Sequence, residues 1–287
     1  MKVLVTGGRG MLGSEITKTF HGNGLDTVSI DIQEADITTK NEITKIVSLY
    51  KPDIITHAAA YTFVDECERN RELAFRVNAK GTLNVAEAAS SIDAALIYIS
   101  TDYVFDGDGA SPYTEEDATN PVSVYGESKL EGEKLAARAS SRCYIIRTEW
   151  LFGKQGRNFV DTMRELLIRG NNHPLRVVND QKGAPTYACH LAGALLQVVK
   201  EITAESPPAP GIYHVTGSGE CTWYEFACRI AALSGAKAEI IPVSSEEFRR
   251  EARRPRYSVL SNRKAEQFFK IHMPHWENGL KEYLGVK

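Results

Sequence analysis

Short apolar, β-branched runs alternate along the chain with longer segments whose apolar positions recur every three or four residues, a pattern that predicts strands alternating with helices. Lys2 to Thr6 reads as the first strand and Glu15 to Phe20 as the first helix. Thr27 to Ile30 is the next strand, and Thr38 or Thr39 would cap a helix from Asn41 to Tyr50. Pro52 to Thr56 gives a third strand. A single helix from about Asn70 to Ser91 follows, with Leu73, Val77, Leu83, Val85 and Ala86 at helical spacing. Ala94 to Ile99 is almost continuously apolar, as expected of a parallel strand covered on both faces. Asn120-Pro121 then ends a loop, Ser123 would cap a helix that continues through Leu130 and Leu135, and Cys143 to Arg147 returns to strand. Beyond it come a helix from Asn158 to Arg169, a strand from Leu175 to Val178 and a Pro-rich linker from Ser206 to Gly211, before the run Ile212 to Val215. The alternation predicts an α/β fold with a doubly wound parallel sheet and a smaller carboxy-terminal α/β domain. The expected division is residues 1–148 and 149–287, with segments near 174–203 returning to the first sheet.

Composition narrows the class of function. The 287 residues are 43% hydrophobic and 25% charged, as in an ordinary globular protein, and a formal charge of -3 gives no general attraction to nucleic acid or anionic membrane. Five scattered cysteines without a C-x-x-C argue against a disulfide framework or a zinc cluster, and fit a reducing compartment. The apolar runs are strand-sized and Met1-Lys2 leads straight into a strand, so a soluble cytoplasmic protein is expected.

The candidate chemistry sits where strands end. Gly7, Gly10 and Gly13 fall between the first strand and the first helix, where glycines permit a tight turn, close approach to a pyrophosphate and close helix packing. Asp31 ends the second strand, where an acid can bond adenine ribose hydroxyls; Arg9, in the glycine loop, is placed to take a 2′-phosphate instead. Asp36 and Ile37 lie in the loop that approaches the adenine, and Ala60, Tyr61 and Thr62 follow the third strand among small residues that let a cofactor lie against backbone. His57 reads as a packed strand-end residue, since none of the seven histidines falls in a metal-binding pattern. Thr101 and Tyr103 hang from the carboxyl end of the fourth strand. Tyr125 and Lys129, four apart on a helix, project from one face, an arrangement in which an ammonium favours the phenolate and the phenol exchanges a proton with a substrate oxygen. Trp150 offers a surface for a ring. Arg249 to Arg256 holds five arginines and suits a local anion site better than DNA. Each feature alone has a local alternative, such as a turn, a cap or a solvated face; their conjunction points to catalysis.

The glycine loop, Thr101 and the Tyr125/Lys129 pair together resemble extended short-chain dehydrogenase/reductases, which are Rossmann-fold enzymes. More narrowly, Ser100 to Gly107, Tyr125 to Glu133, Arg147 to Trp150 and Asp180 to Thr186 resemble the dTDP-4-dehydrorhamnose reductase family over nearly the full length. That resemblance implies NADPH- or NADH-dependent reduction of the C4 ketone of dTDP-4-dehydro-L-rhamnose, the last step of dTDP-L-rhamnose synthesis for surface polysaccharides. It implies Tyr125 as proton donor, Lys129 as holder of the nicotinamide ribose and Thr101 as carbonyl positioner. Asp102, Tyr103 and Trp150 would face the sugar, and Gly10, Met11, Leu12, Asp31, Asp36, Ile37, Ala60, Tyr61 and Thr62 the cofactor. The protein would act as a monomer or homodimer. Some members are magnesium-bridged dimers; Glu15 and Glu277 match two of the carboxylates, but Cys189 stands at a third, so no metal is expected. The rivals are an epimerase or dehydratase on the same scaffold, the latter wanting an acid where Tyr103 stands, and a non-catalytic subunit of methionine adenosyltransferase.

Overall fold

Val3 and Val5 leave the first strand toward one layer of helices and Leu4 toward the other. The same division separates Ala95, Ile97 and Ile99 from Leu96 and Tyr98, and Tyr144 and Ile146 from Cys143 and Ile145. Side chains alternate across a strand, so apolar residues at successive positions require cover on both faces. The computed structural model, which describes residues 1–169 and 174–286, supplies that cover. Its first part runs β1 (Lys2–Thr6), α1 (Met11–Gly22), β2 (Asp26–Ile30), α2 (Lys40–Tyr50), β3 (Ile54–His57), α3 (Val64–Arg69), α4 (Arg71–Phe75), α5 (Thr82–Ser91), β4 (Ala95–Thr101), α6 (Val124–Ala139) and β5 (Cys143–Thr148). The second part runs β6 (Leu151–Phe152), α7 (Phe159–Arg169), β7 (Leu175–Val178), β8 (Lys182–Gly183), β9 (Thr186–Tyr187), α8 (Ala188–Ile202), β10 (Gly211–His214), β11 (Cys221–Thr222), α9 (Trp223–Leu233), β12 (Ile240–Val243), α10 (Arg263–Phe269) and α11 (Trp276–Leu284).

Six strands form one parallel sheet in the order β10-β5-β4-β3-β1-β2, the doubly wound Rossmann arrangement expected from the alternation. The chain leaves β1 toward β2 on one side and reaches β3 on the other. A crevice therefore opens beyond the carboxyl ends of β1 and β3, the topological switch point where such sheets bind ligands. One face is packed by Leu12, Ile16 and Phe20 of α1 with Leu191, Leu195 and Val199 of α8; the other by Ile43 and Val47 of α2, Val85 and Ala89 of α5 and Ala136 of α6. The sheet draws on residues beyond 148, since α8 covers it and β10 forms its edge, whereas β7 pairs with β12 outside it. A separate core of Phe152, Met163, Phe226 and Trp276 underlies the short strands of the second part. No helix among the described residues is long and apolar enough to cross a membrane.

Two local readings need correction. Thr39 occupies the position before α2, but neither it nor Thr38 caps the helix through a side chain; the amide of Thr38 is taken by Asp36 Oδ1 at 2.8 Å and that of Asp36 by Glu42 at 2.8 Å. The helix expected from Asn70 to Ser91 is interrupted by a π-helical run from Arg76 to Gly81. The run packs closely against α6: a Cβ on Gly132 would lie 2.3 Å from the Asn78 carbonyl oxygen. The carbonyl accepts a hydrogen bond from Thr82 Oγ1 at 2.8 Å instead. The Asn78 side chain meanwhile accepts from the Tyr61 amide at 2.7 Å and donates to the Tyr61 carbonyl and Ser128 Oγ, both at 3.0 Å.

Candidate active site

Two adjoining cavities fill the crevice and share Gly7, Gly10, Ala58 and Ala60. The first, of about 520 Å³, is lined by the glycine loop, Asp31, Asp36, Ile37 and Tyr61. The second, of about 430 Å³, is lined by Met11, Leu12, Gly13, Thr62, Thr101, Asp102, Tyr103, Tyr125, Lys129 and Trp150. Every residue singled out from the sequence for cofactor, substrate or catalysis lies on one of these walls.

The glycines are required where they stand. Gly7 has φ +70°, and a Cβ there would lie 2.7 Å from Ala59 backbone; on Gly13 it would lie 2.1 Å from the Gly7 carbonyl oxygen. Gly10 precedes helix α1 without a side-chain cap and the first turn holds no acid, which leaves the helix's amides and positive dipole end available to an anion. The cradle fits a dinucleotide pyrophosphate.

The chemical end is buried. Ser123 caps α6 by accepting from the Gly126 amide at 3.2 Å. Gly126 allows the helix onto the Tyr103 carbonyl, 2.1 Å from where a Cβ would be. Tyr125 and Lys129 therefore face β4. Lys129 Nζ donates to the Ile99 carbonyl at 2.7 Å and lies 4.3 Å from the centre of the Tyr98 ring. Burial lowers its pKa to about 7, opposed by the charge of Glu133. Thr101, the last residue of β4, donates to Asp102 Oδ1 at 2.9 Å, and Tyr103 meets Tyr125 edge-on at 5.4 Å.

The expected depression of the Tyr125 phenol is absent from the unliganded cleft. Burial raises its pKa, and the hydrogen bond with Thr101 opposes the rise. The ammonium is turned to the Ile99 carbonyl, and the phenol keeps its proton. His57 is packed as expected, between Thr6 Oγ1 at 2.7 Å and Thr82 Oγ1 at 3.1 Å, with burial and then the Lys129 charge holding its pKa at about 3.

Other residues join the site without having been legible as part of it. Trp223, first residue of α9, stacks on Trp150 with ring centroids 3.5 Å apart. Its capping box, Thr222 to Glu225, announces a helix start but nothing places that helix against residue 150. Trp150 has φ +45°, a left-handed conformation costly for a bulky residue. Buried Glu149 anchors it, accepting from the amides of Ala184 at 2.7 Å and Leu260 at 3.0 Å. Asp102 and Glu149 both have raised pKa values, chiefly through burial. From the arginine segment, Arg254 forks onto Asp65 of α3 at 3.1 and 2.9 Å, while Arg250 and Arg254 line a 260 Å³ cavity with Phe159, Trp223 and Phe248. Glu277, matched in sequence to a metal-bridging carboxylate, pairs with Arg229 at 2.8 Å. Among the described residues no group of three or more His, Cys, Asp or Glu is placed to hold a metal.

The RmlD substrate binding domain family matches residues 1–286. The spore coat polysaccharide biosynthesis protein SpsK of Bacillus subtilis is 40% identical, covering 99% of this chain and 96% of its own. Among solved structures, a dTDP-4-dehydrorhamnose reductase from Clostridium acetobutylicum superposes with a TM-score of 0.94 at 42% identity, covering 99% of both chains. The dTDP-4-dehydrorhamnose reductase of Bacillus anthracis, solved in complex with NADP, gives 0.93 at 38% identity over 98% of both chains.

Proposed function

Since the chain belongs to the RmlD substrate binding domain family, among the dTDP-4-dehydrorhamnose reductases, we infer that it is an NAD(P)H-dependent oxidoreductase reducing the C4 ketone of dTDP-4-dehydro-β-L-rhamnose to give dTDP-β-L-rhamnose. The observation that carries this reading is the convergence of Thr101, Tyr125, Lys129 and Trp150 with the glycine loop on one cavity at the switch point.

The bound reduced nicotinamide supplies the hydride for the keto carbon. Tyr125, protonated in the unliganded cleft, gives its proton to the keto oxygen, and Thr101 would donate to the same atom by turning its hydroxyl from Asp102. Lys129 holds the nicotinamide ribose, and once that interaction draws its ammonium from the Ile99 carbonyl it assists the phenol's loss of a proton. Asp102, Tyr103 and the Trp150 face hold the sugar. Gly7, Gly10, Met11, Leu12 and Gly13 hold the pyrophosphate, while Asp31, Asp36, Ile37, Ala60, Tyr61 and Thr62 hold the adenosine and nicotinamide halves. The aromatic cavity beside Trp223 receives the thymine, with Arg250 and Arg254 toward the diphosphate. Residues 1–148, completed by α8 and β10, form the cofactor half, and most of 149–287 the substrate half; Gly170 to His173 and Lys287 of that range lie outside the described residues. The proposed reaction runs in the cytoplasm, on a monomer or homodimer, without a metal.

The test is spectrophotometric: purified protein should oxidise NADPH or NADH when dTDP-4-dehydro-L-rhamnose is added and not with the cofactor alone. No cofactor consumption in the presence of that sugar would refute the reading.

A further inference from the structure

We propose that Glu34 sets which nicotinamide cofactor the protein prefers, by holding the Arg9 guanidinium away from the place a 2′-phosphate would occupy; the proposal rests on reading the cleft as a dinucleotide site. Glu34 sits on the turn that follows β2, where the amides of Glu34 and Ala35 both bond the Asp31 carbonyl at 3.0 Å. The turn carries its carboxylate across the glycine loop. There Arg9 grips it at both ends, Nη1 to Oε2 at 2.8 Å and Nη2 to Oε1 at 2.5 Å, and Nη1 also donates to Gln33 Oε1 at 2.5 Å. Glu34 Oε2 accepts the Asp31 amide as well, at 2.9 Å, so the carboxylate is fixed from two sides.

Asp31 is engaged in parallel. Its Oδ2 accepts the Arg9 amide and its Oδ1 the Ile32 amide, both at 2.9 Å, which aims the carboxylate at the rim of the cavity also lined by Arg9. Two carboxylates, Asp31 on the rim and Glu34 beside it, thus stand against one guanidinium whose paired Nη edge is already engaged. A ribose 2′-hydroxyl can donate to Asp31 and is indifferent to that charge. A 2′-phosphate carries close to two negative charges, meets a guanidinium whose paired Nη1 and Nη2 edge is turned to Glu34, and is repelled by both acids. The Arg9 and Glu34 side chains are 57% and 38% exposed, so the guanidinium is able to exchange partners. Glu34 is therefore a bias toward NADH, with Arg9 the arm that admits NADPH once released.

The experiment measures calorimetric affinities for two fragments, adenosine 2′,5′-bisphosphate and 5′-AMP, and so needs no turnover. The proteins are wild type, Glu34→Gln, Glu34→Ala, Arg9→Met and the double variant Glu34→Ala/Arg9→Met. Either Glu34 variant should shift the affinity ratio toward the bisphosphate by about tenfold or more, the scale of one charge-assisted hydrogen bond between guanidinium and phosphate. Arg9→Met should weaken the bisphosphate selectively, and in the double variant the shift should vanish. A ratio within about twofold of wild type in both Glu34 variants overturns the proposal, as does a shift that survives loss of Arg9. Failure of every protein to bind either fragment overturns it together with the dinucleotide reading, and only that outcome reaches the reading.

Discussion

At Lys129, burial and charge pull in opposite directions, and burial prevails: its pKa falls to about 7 despite Glu133 one turn along the helix. Above that pH the free enzyme loses the ammonium, so kcat/KM for the cofactor should decline on the alkaline side from near neutrality. The bound cofactor's negative charge should carry the corresponding limb of kcat to higher pH. The stability effect has the opposite sign. Between about pH 7 and the ordinary lysine value the unfolded chain binds a proton that the folded chain has released, so this group makes the fold more stable as pH rises. A pH-rate profile beside urea titrations should thus show activity falling where the midpoint does not fall with it. Tyr125→Phe should lower turnover by about 10²–10⁴-fold with substrate binding retained, measured by steady-state kinetics and calorimetry. The pairing of these residues was legible from their spacing. The raised phenol was not, because the sequence does not show how far the pair is buried or that the ammonium finds the Ile99 carbonyl.

The pair is presented by α6, which lies so close to its neighbours because Gly126 and Gly132 stand where any Cβ would strike backbone, at 2.1 Å from the Tyr103 oxygen and 2.3 Å from that of Asn78. Gly132→Ala should therefore cost about 1–3 kcal/mol, read from the denaturant midpoint, although alanine is the better helix former. The helices and strands were legible because periods of two and of three to four residues report burial directly. The π-helical run was not. Leu73, Val77, Leu83 and Val85 satisfy a regular helix nearly as well as an interrupted one, and the Gly132 backbone packed against the interruption stands more than fifty residues downstream. Asn78, legible only as a packing residue, ties the Tyr61 loop to Ser128 on α6, the helix that carries Tyr125 and Lys129.

Across the whole molecule the sheet was foreseen but its outer edge was not. Ile212 to Val215 is a short run after the Pro-rich linker, and nothing in its composition says that it pairs with β5 instead of with its sequence neighbours. That pairing buries His214, whose pKa, like that of His57, falls to about 3, with burial the leading cause in each. Unfolded, both bind protons near pH 6.5, so they contribute stability that is lost as pH falls from there toward 3. Asp102 and Glu149 act the other way, since their raised values let the folded chain keep protons that the unfolded chain has released. The difference isolates the histidines: in His214→Gln the urea midpoint should change less between pH 7 and about pH 5 than in wild type.

Two of the three tryptophans, Trp150 and Trp223, form the face-to-face pair on the wall of the chemical cavity. Indole emission overlaps the absorption of a dihydronicotinamide, so the wall is a built-in optical donor for the reduced cofactor. Titration with NADH should quench the intrinsic fluorescence, and Trp150→Phe should remove much of that signal, making occupancy of the cleft visible without any label.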